Sequence, residues 1–93
     1  MDTRLLGIWD SDTDEQYAKF RLYFSDSGDL TLTIFTAGKV DQVIKMTYAV
    51  DGNILTTKQS SPSREDRIEF AIERDGGLTV RNGWLVCRYH RIP

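Results

Sequence analysis

The chain is poor in the residues from which most reactive sites are built. Of its 93 residues, one is a cysteine, Cys87, and one a histidine, His90. A lone cysteine excludes an internal disulfide, and no paired-cysteine spacing offers a zinc site. A single histidine without matched partners leaves no ordinary Ser-His-Asp arrangement. No glycine-rich phosphate loop is present. Lacking an acid–base pair, the sequence reads as a binding protein rather than an enzyme, with no cofactor and no metal.

Long apolar runs are missing as well. No stretch approaches the roughly 18 apolar residues of a membrane helix, and Met1–Gly7 has no apolar h-region of a leader peptide. The expectation is a soluble, cytoplasmic protein with no membrane partner. A basic excess is also absent: the formal net charge is -2 and the pI is about 5.2. Nucleic-acid domains draw their affinity from neutralising phosphates, so nucleic acid is not expected as a partner.

What remains is abundant β-forming sequence with only two prolines. Aromatic and β-branched residues suit a pleated, half-buried surface. The length allows one domain, residues 1–93, and no second core.

Turn chemistry divides this material into eight runs. Leu5–Trp9 is a short apolar run. Phe20, Leu22 and Phe24 alternate with polar residues, as do Leu30, Leu32 and Ile34 after the Ser25–Asp29 turn cluster. Ala37-Gly38-Lys39 turns the chain into a run in which Ile44, Met46, Tyr48 and Val50 share a face. Asp51-Gly52-Asn53 is a hairpin signal before Ile54–Gln59. Ser60–Asp66 is polar, contains Pro62 and reads as a loop. Arg67–Glu73 presents Ile68, Phe70 and Ile72 to one side. Leu78–Val80, the Asn82-Gly83 turn and Trp84–Ile92 complete the series. Asp14–Lys19 reads as a loop or a single helical turn.

Hairpin-length connections make neighbours in sequence neighbours in the sheet. Closing the sheet removes the exposed edges of an open meander. The expected fold is therefore all-β, a small antiparallel eight-stranded up-and-down barrel. A barrel of this size is filled by its own side chains or holds one small ligand.

Gly7-Ile8-Trp9 fits the Gly-x-Trp signature of lipocalin-like proteins, and Tyr89-His90-Arg91 ends the last run. The chain resembles small bacterial lipocalin-like domains of unassigned function. Thr57–Glu65 also resembles a segment of one such group. The resemblance implies a lipocalin-like barrel in which Gly7, Trp9 and Arg91 are structural, with Arg91 packed across the Trp9 indole at the closed end. True lipocalins are longer and roomier.

Two readings of the interior stay open. Phe20, Leu22, Phe24, Leu32, Ile34, Met46, Tyr48, Ile68, Phe70, Ile72, Leu85 and Cys87 form either a packed core or the wall of a pocket. In a pocket for a small apolar or amphipathic ligand, the candidate residues are Met46, Tyr48, Phe70, Tyr89 and Arg91. Tyr89 and Arg91 lie two apart and face one side. They resemble, in reversed order, the Arg-x-Tyr carboxylate grip of cytosolic fatty-acid-binding proteins. The alternative is a protein partner, met as in protease-inhibitor-like barrels by a 60–67 loop carrying Gln59, Arg64, Glu65 and Arg67. The protein is expected as a monomer or homodimer.

Two further patterns are weaker. Asp10, Asp12 and Asp14 take the first, third and fifth positions of a calcium loop. Glu15 then stands where glycine is needed and Arg21 where a glutamate is needed, so the run reads as a solvated loop. A haem on His90, as in some related but larger barrels, is disfavoured because His90 faces out if Tyr89 and Arg91 face in.

Overall fold

The computed structural model describes residues 3–12, 18–60 and 63–92, with the side chain of Leu85 outside that description. Eight strands follow one another: β1 Gly7–Ser11, β2 Lys19–Phe24, β3 Asp29–Thr36, β4 Lys39–Asp51, β5 Ile54–Ser60, β6 Ser63–Ile72, β7 Leu78–Asn82 and β8 Leu85–Ile92. Each pairs antiparallel with the next, and β8 returns to pair with β1, so the sheet closes into an up-and-down barrel. The described residues contain no helix. Of the Asp14–Lys19 segment, residues 14–17 lie outside them, and with them Asp14 and Glu15 of the calcium-like run, while Lys19 already belongs to β2.

Side-chain alternation and register together fix the interior. Trp9 lies opposite Leu22 on β2 and Arg91 on β8. Leu22 faces Leu32, which faces Ile44. Leu55 faces Ile68, Phe70 faces Val80, and Val80 faces Cys87. One chain of inward positions thus runs round the barrel. The buried core is Leu5, Trp9, Leu22, Phe24, Leu30, Leu55, Phe70, Leu78 and Tyr89.

Several elements differ from the sequence reading, each for a local reason. Arg64–Asp66 belongs to strand β6, not to a loop: Gln59 pairs with Arg64 and Ser60 with Ser63. The period of two continues there, but polar side chains occupy it near the barrel rim. Ile72 ends β6 as an exposed residue. Trp84 lies in the β7–β8 turn rather than in the last strand and is 93% exposed. β4 begins at Lys39, well before its inward-facing run, with a one-residue register shift opposite Ile34 and Phe35.

Candidate functional site

The two ends of the barrel are built differently. At one end the residues preceding β1 fold across the opening. Leu5 is buried there, and its carbonyl accepts a hydrogen bond from Trp9 Nε1 at 2.9 Å. Arg4 donates to the Gly52 carbonyl, and its guanidinium lies 4.9 Å from the Phe70 ring centre. Arg91 stacks on Trp9 at 4.2 Å and donates to the carbonyls of Leu6 and Arg4. The Tyr48 hydroxyl donates to the Ser25 carbonyl at 2.8 Å, and its ring meets Phe24 edge-on at 5.0 Å. These contacts stopper the end holding the β2–β3, β4–β5 and β6–β7 turns.

The other half is hollow. A cavity of about 400 Å³ lies within the strands. Its apolar wall includes Phe20, Leu22, Leu32, Ile44, Met46 and Ile68. Polar groups interrupt that wall at two levels. Thr57 and Tyr89 are buried within it. Burial, with the Cys87 thiol adding a smaller push, raises the Tyr89 hydroxyl to about 12, so it is a neutral donor at ordinary pH. Nearer the rim are Gln59, Arg64 and Asp66. Arg64 Nε donates to Asp66 Oδ2 at 2.8 Å, with the guanidinium still largely exposed.

The ligand candidates therefore separate. Met46 and Tyr89 line the cavity, whereas Tyr48, Phe70 and Arg91 are not part of its lining. Tyr48 and Arg91 have their polar atoms engaged at the stoppered end. The recognition candidates separate too. Gln59 and Arg64 face the cavity, while Glu65 and Arg67 are exposed on the outer face, where Glu65 meets Lys58 at 3.5 Å. Thr57 and Asp66 are the polar lining residues that sequence reasoning missed, beside the apolar Leu30, Leu55 and Val80. The signal that finds the polar pair is the inward phase of Leu55 and Ile68, each carried one two-residue step toward the rim.

Outside the barrel, Asp10 is buried and receives two bonds from Arg21, at 2.7 and 3.1 Å. Lys19 approaches to 3.5 Å. The Arg21 hydrogen bonds outweigh burial and hold the Asp10 carboxyl below the usual carboxylate range. His90 faces out, its Nδ1 2.5 Å from Asp12 Oδ1. Among the described residues, no group of three or more His, Cys, Asp or Glu is arranged to hold a metal ion. No helix among them is long and apolar enough to cross a membrane.

Comparison with protein-family models, with curated proteins and with solved structures returns no match.

Proposed function

We propose that this is a lipocalin-like binding protein that takes one small apolar or amphipathic molecule into the open half of its barrel. The observation that carries the reading is the cavity, about 400 Å³ within the size range of small-molecule sites. Its chemistry suits an elongated molecule with one polar end. Apolar walls receive the body, and desolvating them favours binding by roughly 25 cal/mol per Å². The Thr57 and Tyr89 hydroxyls orient a polar group inside, while Gln59 and Arg64 meet one at the rim. Docking of a protein through 60–67 is less well supported, because Ser63–Arg67 runs as strand and offers no long loop.

Native mass spectrometry of freshly purified protein tests the reading, followed by titration of the stripped protein with a fluorescent apolar dye such as anilinonaphthalene sulfonate. The expected result is a reproducible added mass or a saturable one-to-one dye complex. Ile68→Trp, which fills the cavity, should abolish either while leaving the β-sheet circular dichroism in place. A bare chain mass with no dye binding overturns the proposal. Dye binding that survives Ile68→Trp in a folded protein overturns it equally.

A further inference from the structure

β4 is longer than its partnership with β5. Only Thr47–Asp51 pairs with β5, against Ile54–Lys58. The preceding stretch, Lys39–Met46, pairs with β3 alone. Gln59 and Ser60 pair with β6 alone, opposite Arg64 and Ser63. The two strands part near the rim, beside a surface groove of about 580 Å³ that Lys45, Met46 and Gln59 help to line.

The parting leaves backbone groups of β4 without a strand partner among the described residues. The Tyr48 amide donates to the Gly28 carbonyl, on the β3 side. Successive residues of a strand present their backbone groups to opposite sides, so Thr47, Lys45 and Val43 present theirs to the β5 side. Thr47 has Lys58 opposite. Val43 and Lys45 have no strand partner there among the described residues. The side chains around them are open as well: Val40 is 60% and Val43 50% exposed. An unpaired, partly apolar edge is a template for strand addition.

We propose that this edge pairs with the same edge of a second copy of the chain, antiparallel and centred on Val43. The charges select both the partner and the register. Centred on Val43, the two-fold arrangement brings Asp41 of each copy, the extra residue at the register shift and the acceptor of a 3.3 Å hydrogen bond from Thr36 Oγ1, beside Lys45 of the other, giving two opposite-charge neighbours. It also places Val43 against Val43, so this exposed valine finds an apolar neighbour. Two-fold self-pairing is the commonest form of homo-oligomer, and here it would extend the sheet without using the cavity.

Sedimentation equilibrium over a wide concentration range, up to about 1 mM, tests this. A monomer–dimer equilibrium is expected. Val43→Pro removes the central amide from the free edge and no bond to β3, so it should weaken dimerisation roughly tenfold or more. Lys45→Asp should weaken it too, by opposing two aspartates, and adding Asp41→Lys should restore it. Both charge variants lie on an exposed surface, so they report on pairing even if the proline variant fails to fold. A monomer at every concentration overturns the proposal. So does a dimer indifferent to Val43→Pro, or a charge swap that fails to restore association.

Discussion

The guanidinium of Arg91 lies 4.2 Å from the centre of the Trp9 indole, directly across the β1–β8 seam where the two residues pair. The cation covers the ring face while its nitrogens reach the carbonyls of Leu6 and Arg4. One side chain thus joins the seam to the segment that stoppers the barrel. Trp9 is fully buried, and Trp9→Ala should cost roughly 3–5 kcal/mol. That is a large share of a small domain's stability. Arg91→Leu should cost roughly 1–3 kcal/mol from the lost stacking and hydrogen bonds. Urea denaturation reads both, and an unchanged midpoint for Trp9→Ala would remove the seam from its structural role.

Gly7 is tied to the same contact. It adopts φ +115°, and a Cβ there would lie 2.9 Å from Arg91 Nη1. Gly7→Ala should therefore destabilise by roughly 1–3 kcal/mol, combining backbone strain with displacement of the guanidinium. In a double-mutant cycle with Arg91→Leu, the two losses should sum to less than their separate values. Full additivity would show that strain at Gly7 acts alone.

Asp10 gives the protein an acid-sensitive brace. Its folded pKa lies below the ordinary 3.8, so the unfolded chain binds the proton more readily. The stabilisation is then present above pH 3.8 and lost as the pH falls through the depressed folded value. Asp10→Asn should lower stability at neutral pH by roughly 1–3 kcal/mol and flatten the acid limb of the stability–pH curve. Melting temperatures between pH 2 and 7 in wild type and variant check the sign; parallel curves would contradict it.

Tyr89 acts at the other end of the scale. Its folded pKa of about 12 exceeds the ordinary 10.0, so the contribution is complete below pH 10 and disappears as the pH rises through about 12. Absorbance titration of tyrosinate should show this hydroxyl ionising late in the folded protein. Tyr89→Phe should remove that late step and reduce the alkaline loss of stability. Were a late step of equal size to persist in the variant, the assignment to Tyr89 would fail.

The strands were legible because inward residues repeat every second position wherever apolar side chains occupy them, as in Phe20–Phe24 and Ile44–Val50. The barrel followed from short turns and the need to remove sheet edges. The reading failed where the inward phase carries polar residues. Arg64 and Asp66 continue the Ile68 face to the rim, so composition there resembled a loop. Alternation alone does not single out Leu5, Leu30, Leu55 and Leu78 as core, because they flank turns or precede a strand. The cavity was illegible in principle: packed and hollow barrels need the same inward residues, and the separation of walls depends on strand tilt and register. The bond of Tyr48 to the Ser25 carbonyl, which removes its hydroxyl from the pocket, likewise depends on three-dimensional approach alone.

The seam also sets an order on folding. Ile8 lies opposite Ile92 and Ser11 opposite Tyr89, so the final pairing joins segments nearly the whole chain apart. Loop-closure entropy must be met before such distant contacts reward it, and topologies of this kind fold slowly. On the ribosome, seven strands can emerge while Trp9 still awaits the strand that carries its cover. Until β8 arrives, both β1 and β7 remain open edges, and a chain stalled at that stage would be the form most prone to aggregate.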